Sequence, residues 1–177
     1  MNKAEYWITK LGLEKHPEGG YYKEVYRSAE LIAAGHLPER YSGGARNHST
    51  SIYFLITGKE FSAFHRIKSD ELFHFYAGSP LAIHMITEAG KYSTVTLGAD
   101  AEGGEVFQHA VPRGVWFSAE TPGGDDAYSL VGCMVAPGFD FSDFELGKRI
   151  ELLKRYPAQA DLIKRLTREQ GDRLKIE

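Results

Sequence analysis

The stretch GKEFSAFHRIKSDELFHFYAG, Gly58 to Gly78, decides the fold. It holds two short runs, Ser62–Ile67 and Leu72–Ala77, separated by the polar break Lys68-Ser69-Asp70. Runs of this length, rich in β-branched and aromatic residues and bounded by turn formers, read as successive strands. Alternate side chains of a strand share a face, so His65 and Ile67 point the same way and Glu71 begins the next strand.

The same texture extends outward from Gly19 to about Pro137. Further runs lie at Tyr21–Arg27, Ser49–Thr57, Leu81–Thr87, Tyr92–Leu97, Glu105–Ala110, Val115–Ala119 and Tyr128–Val135, with Gly, Pro, Asp and Ser between them. Glu88-Ala-Gly90-Lys91 reads as a hairpin turn. Many short strands without intervening helices predict an all-β sandwich or barrel. Leu31–Asn47, with Gly35, Pro38, Gly43 and Gly44, exceeds an ordinary connection and reads as a lid or flap. A short helix is expected over Asn2–Leu11, capped by Asn2 and ended by Gly12. A helical tail is expected from Ser142 to Arg173, capped by Ser142 or Asp143. Its apolar stripe is Leu146, Ile150 and Leu153, Tyr156-Pro157 interrupts it, and Asp161–Gln170 restarts it. The 177 residues are read as one domain, with a core barrel over about 19–140 and a tail over 142–177.

A net charge of −3 gives no electrostatic case for a nucleic-acid polymer as partner. No apolar run approaches the ~18 residues of a membrane span, and MNKAEYWITKLGLEKH lacks the apolar centre of a secretory signal. With the single cysteine, Cys133, this reads as a cytoplasmic protein whose thiol is a small core residue.

A two-sheet barrel holds a ligand between its sheets, reached by inward side chains. His65 and Glu71 are the first candidates. Their simplest structural reading is a buried hydrogen-bonded pair. Their functional reading is a base with a carboxylate that raises its pKa and orients the ring. His74 is an odd number of residues from Glu71 and so faces the other way. His84 lies mid-strand and could join His65 and Glu71 around a ligand or a metal. Glu18 sits in a loop where Gly19 and Gly20 permit close approach to a ligand. Gln108 precedes the Pro112 turn and could read a polar ligand edge, and Tyr53 and Phe73 could line the pocket.

The window resembles the first cupin motif, with His65 at its first His, Glu71 at its Glu and Gly78 at its Gly, while Ile67 occupies the second His position. Pro112-Arg-Gly114-Val-Trp-Phe117 resembles the second motif, with Phe117 where the last His ligand would stand. One imidazole and one carboxylate are too few for a catalytic Zn²⁺ or Fe²⁺, so no metal and no cofactor is expected. The blocks His16-Pro-Glu18-Gly-Gly20-Tyr-Tyr22-Lys-Glu24, Ser49-Thr-Ser-Ile-Tyr53-Phe-Leu, Phe64-His65-Arg with Ser69-Asp-Glu71, Val111-Pro-Arg-Gly-Val-Trp116-Phe and Ala136-Pro-Gly-Phe-Asp140-Phe resemble the cupin-5 family over about His16–Gly147. The resemblance implies a cupin-type double-stranded β-helix, or jelly roll, and a homodimer.

A more distant likeness, in the order of Gly20-Tyr-Tyr22-Lys-Glu24, His65, the Val-Pro-x-Gly turn and Tyr128, is to the metal-independent dTDP-sugar 3,5-epimerases. It implies His65 as base, Tyr128 as acid, and Tyr22 and Glu24 as ligand contacts. Two departures are Phe117 at an epimerase His and Glu71 near the position of an enolate-stabilising Lys. A carboxylate there would oppose an enolate. Three functions follow as expectations: a sugar epimerase or isomerase with a His base, a non-catalytic module for a sugar-like or nucleotide-like ligand, and a metal enzyme with a non-standard site.

Overall fold

The computed structural model describes residues 3–41 and 43–169. All nine runs read as strands are strands. A six-stranded antiparallel sheet has the order β1-β2-β5-β12-β7-β10: β1 Glu14–Lys15, β2 Tyr21–Arg27, β5 Thr50–Thr57, β12 Tyr128–Ala136, β7 Asp70–Gly78 and β10 Gln108–Val111. A five-stranded sheet has the order β13-β6-β11-β8-β9: β13 Phe144–Leu146, β6 Phe61–Ile67, β11 Trp116–Glu120, β8 Leu81–Ile86 and β9 Tyr92–Leu97. The Glu88–Lys91 turn joins β8 to β9, with Gly90 at φ +80°, a conformation that favours glycine. This is the jelly-roll barrel expected of a cupin.

Period-two burial sorts the side chains into three cores. Phe54, Phe73, Ile83, Met85, Phe117 and Val131 meet between the sheets. Outside the five-stranded sheet, Phe64, Ile86 and Trp116 are covered by Leu152, Tyr156, Ile163 and Leu166 of the tail. Outside the six-stranded sheet, Leu55 and Leu130 are covered by α1 (Lys3–Leu11) through Ala4, Trp7 and Ile8. Each fully buried Leu, Ile or Phe contributes about 1.5–3 kcal/mol, so both outer layers belong to the fold's stability.

Two expectations are corrected. The tail is not helical from Ser142: Phe144–Leu146 pairs with β6 as an edge strand, and α2 runs only over Arg149–Arg155, followed by α3, Ala160–Arg165. Backbone pairing with β6 outweighs local propensity there. Ile150 is therefore exposed, and the buried stripe falls on Leu152, Tyr156 and Ile163. Asp140, rather than Ser142 or Asp143, accepts from Ser142 N at a single 3₁₀ turn. Asn2 and Gln170–Arg173 lie outside the described residues.

The 31–47 excursion is anchored at both ends. Its short strands β3 (Leu31–Ile32) and β4 (Arg46–Asn47) pair with each other. Buried Arg46 forms a two-point contact with buried Asp143 (Nε to Oδ2 2.6 Å, Nη2 to Oδ1 2.8 Å). The Tyr41 hydroxyl lies 3.0 Å from Lys68 O and 2.8 Å from Ser69 Oγ. Among the described residues of the excursion, none lines the main cavity.

Candidate functional site

A cavity of about 460 Å³ opens between the sheets, within the size range of small-molecule sites. Its walls come from β2, β5, β6, β7 and β12 and from the 139–144 segment. Inward parity places Tyr22 and Glu24 (β2), Ile52 and Phe54 (β5), His65 and Ile67 (β6), Glu71 (β7), and Cys133 and Val135 (β12) on it. Glu18 arrives from the loop before β2. Gly19 and Gly20 make this possible: both have positive φ, and a Cβ on Gly19 would lie 2.1 Å from Phe61 O. The loop is held down by Ala63 N donating to Glu18 O at 2.9 Å.

The chemistry centres on His65 and Glu18, 2% and 7% exposed. His65 Nε2 lies 3.1 Å from Glu18 Oε2, and His65 Nδ1 lies 2.8 Å from Ala63 O. A carbonyl only accepts, so Nδ1 carries a hydrogen and Nε2 of the neutral ring is an acceptor. Ser62 Oγ donates to Glu18 Oε1 at 2.8 Å. With a neutral ring, a protonated Glu18 carboxyl would donate from Oε2 to Nε2. Burial favours this arrangement: it pulls His65 down to about 4 against the Ala63 hydrogen bond. It pushes Glu18 well above the usual carboxyl range, assisted by the charge of Glu71. A neutral hydrogen bond avoids the cost of a desolvated ion pair.

Two further groups complete the floor. Burial raises Glu71 to about 7, opposed by a hydrogen bond from the Cys133 thiol. Burial, and secondarily the charge of His65, lowers His16 to about 3. His16 Nδ1 accepts from Glu18 N at 3.3 Å, and its ring packs edge-on against Tyr22 at 4.6 Å. The mouth carries Phe139, Phe141 and Phe144, Asp140, and an Arg27–Glu24 pair (Nε to Oε1 3.0 Å, Nη2 to Oε2 2.7 Å). Floor and mouth thus offer hydrogen-bonding groups inside an aromatic rim.

Of the residues expected at the site, His65, Glu71, Glu18, Tyr22 and Glu24 are brought together on the cavity wall. The acid that meets His65 is Glu18 rather than Glu71, and burial lowers the His65 pKa where a carboxylate neighbour was expected to raise it. Tyr128 faces the other way. Ser129, Val131, Cys133 and Val135 point inward, so Tyr128 lies against α1, where its hydroxyl accepts from Trp7 Nε1 at 3.2 Å. The likeness to the dTDP-sugar epimerases does not carry this residue into the cavity.

Tyr53 is also on the outer face, its ring edge-on to Tyr76. His84 shares the outer face of β8 with Ile86 and contacts the Tyr92 hydroxyl (2.9 Å) and Glu120 (3.0 Å). Gln108 is exposed opposite His74. Phe73 is packed in the central core below the cavity. Phe117 backs the His65 ring at 4.0 Å between centroids and does not line the cavity. His16, Arg27, Asp140 and the three phenylalanines were not anticipated. The spacing His16-x-Glu18 beside two glycines was the available sign of the first.

The donors do not fit a cupin metal. Ile67 and Phe117 present carbon where imidazoles would be needed, and His84 is on the far face of its sheet. Among the described residues no group of three or more His, Cys, Asp or Glu is placed to hold a metal ion.

A family model described as Cupin superfamily (DUF985), Cupin_5, matches residues 5–147. An uncharacterized protein of Saccharomyces cerevisiae is 32% identical over 155 residues, covering 83% of this chain and 76% of that one. A hypothetical protein from Leishmania major has a similar structure, with a TM-score of 0.85 and 39% identity over 95% of this chain and 100% of that chain. A Shewanella oneidensis protein has a TM-score of 0.84 and 39% identity over 96% of this chain and 99% of that chain. Among the described residues, no helix is long and apolar enough to cross a membrane.

Proposed function

The chain belongs to the Cupin_5 (DUF985) family of the cupin superfamily, and from that footing we propose that its cavity binds a small polar, sugar-like molecule and moves a proton on it, as a metal-independent isomerase or epimerase does. One observation carries the reading: His65 Nε2 and Glu18 Oε2 lie 3.1 Å apart at the buried end of a ligand-sized cavity. A ligand that displaces the Glu18 hydroxyl frees Nε2 to act as a base. The C–H bond beside a ligand carbonyl then breaks, its proton goes to Nε2, and its electron pair moves onto the carbonyl oxygen. Glu71, raised to about 7 and so about half protonated at neutral pH, donates to that oxygen in its acid form. In this form it supports an enolate that a carboxylate would oppose. Return of the proton to either face of the carbon, or to its neighbour, completes the reaction.

The test is deuterium wash-in. Sugars that raise the melting temperature are incubated with the protein in D₂O and followed by NMR. Wild type is expected to exchange one C–H, and His65→Asn to slow exchange by about 10²-fold or more. Saturable binding without exchange would instead establish the second reading, a non-catalytic binding module. The orientation of Tyr128 favours that alternative, because it takes the expected acid out of the cavity.

A homodimer is part of the same proposal. The outer face of the six-stranded sheet exposes Tyr26, Tyr76 (51%) and Met134. Met134 pairs with Leu72 and Ser51, and Ser51 with Tyr26, so these side chains form one lateral row beside Tyr76. A second copy would bury that row.

A further inference from the structure

A second concavity, of about 410 Å³, lies on the outside of the barrel, separated from the first by Ile67 and Phe144, which line both. Four cations face it: Arg40, Arg66, Lys68 and Arg113. Two carboxylates share the wall, and both are engaged. Asp143 takes the two-point contact from Arg46 and lies 3.3 Å from Lys68 Nζ. Glu145 accepts from Arg66 at 2.7 Å, while the Arg66 guanidinium sits 4.6 Å from the Trp116 ring centroid. Among the described residues, no carboxylate pairs with the side chain of Arg40 or Arg113.

Arg40 is fixed through its Nε, and Arg113 through its main chain. Arg40 Nε donates to Lys68 O at 2.9 Å, leaving its terminal nitrogens for the groove. Arg113 is the second residue of a tight turn, closed by Val115 N donating to Pro112 O, with Gly114 at φ +74°. Such a turn needs a positive φ at that position, which glycine supplies without strain. The turn is fixed further by Arg113 N donating to Asp70 Oδ1 at 2.8 Å and by Gly114 N donating to Ile67 O at 2.9 Å. The chain as a whole carries −3, so a concave surface with two unneutralised guanidinium groups and a shared ammonium runs against its overall charge.

We propose that this groove, walled by Arg40, Arg66, Lys68 and Arg113, binds the phosphoryl or pyrophosphoryl group of a ligand. Two guanidinium forks match the tetrahedral oxygens of a phosphoryl dianion, whereas a single carboxylate would leave one fork unfilled. The 31–47 excursion thereby acquires a role: its tip supplies Arg40 to the groove. The site stands on its own residues and does not require the proton chemistry of the cavity.

The experiment is calorimetric titration of the full chain with inorganic pyrophosphate at low ionic strength, with sodium chloride matched for ionic strength as blank. Saturable binding is expected. Arg40→Ala and Arg113→Ala should each weaken it about tenfold or more, and the double variant should abolish it. Arg155→Ala, an exposed cation paired with Glu88 elsewhere on the surface, should bind as wild type does. A parallel titration with ADP separates the sources of the group: tighter binding than pyrophosphate assigns it to a nucleotide, and equal binding to a free phosphate species. His65→Asn should leave the pyrophosphate isotherm unchanged, which separates failure of this site from failure of the cavity reading. No saturable heat with pyrophosphate, or an isotherm that survives the double variant, would overturn the proposal.

Discussion

His65 and Glu18 come from segments 47 residues apart, and they meet at 3.1 Å with their outer partners already fixed: Ala63 O on one side and Ser62 Oγ on the other. Both flanking groups come from β6, the strand that carries His65, so the β6 backbone orients both halves of the pair. Ala63 O, which only accepts, fixes the hydrogen on Nδ1. Glu18→Gln keeps the pattern, since its amide can donate to Nε2 and its carbonyl can accept from Ser62. A change in unfolding free energy within about 1 kcal/mol is expected by urea titration. Glu18→Ala leaves His65 and Ser62 without partners in a dry site and should cost about 2–3 kcal/mol.

Glu71 sets a pH dependence of opposite sign to the usual carboxylate. Its folded pKa is about 7 against 4.5 unfolded. Between those values the folded protein keeps the proton that the unfolded chain has released, so stability falls as pH rises through the window. Glu71→Gln lacks this loss. Its stability relative to wild type should therefore increase by about 3 kcal/mol from pH 4.5 to above pH 7. Denaturation at several pH values checks it; a constant difference would contradict it. The lowered pKa of His16 acts the other way, removing stability as pH falls from 6.5 towards 3, and it cancels in the comparison because both proteins carry it.

The Arg46–Asp143 contact joins the excursion to the segment entering β13. Removing Arg46 leaves buried Asp143 with only the partly exposed Lys68 ammonium, so Arg46→Ala should lose about 3 kcal/mol. The double replacement Arg46→Met, Asp143→Leu should recover much of that loss, because an apolar pair of similar volume leaves no charge behind. Thermal or urea unfolding of the two variants measures both effects.

Tyr128 gives the plainest separation between sequence expectation and structure. Tyr128→Phe removes only the acceptor of the Trp7 indole, at a cost of about 1 kcal/mol or less. Ligand-induced thermal shifts and proton exchange should be unchanged. Loss of either would return Tyr128 to the reaction.

Met134→Glu places a charge in the exposed row that includes Leu72 and Tyr26. Light scattering after size exclusion should find wild type as a dimer and this variant as a monomer. A wild-type monomer would sink the proposed interface.

The barrel was legible because its strands are bounded by turn formers and alternate in burial, which is local information. The two residues of the first cupin motif, His65 and Glu71, line the same cavity from opposite sheets. What sequence could not supply was pairing across distance. Phe144–Leu146 is a strand only because β6 presents an open edge to it, and nothing in Phe-Glu-Leu announces that. Tyr128 looks like an inward aromatic until α1 is seen to cover the opposite face. The partner of His65 was mistaken for the nearer acid, Glu71, because the excursion of Glu18 into the barrel depends on two glycines docking against β6. The mouth residues Arg27, Asp140 and Phe141 belong to a strand end and a loop, where period-two patterning gives out.

The central claim is that one proton lies between Glu18 and a neutral His65. Imidazole ¹⁵N chemical shifts of His65, assigned by comparison with His65→Asn, test it directly. A protonated Nδ1 and an unprotonated, hydrogen-bonded Nε2, both unchanged from pH 5.5 to 8, are expected. Two protonated nitrogens at pH 7, or a titration near 6.5, would contradict it.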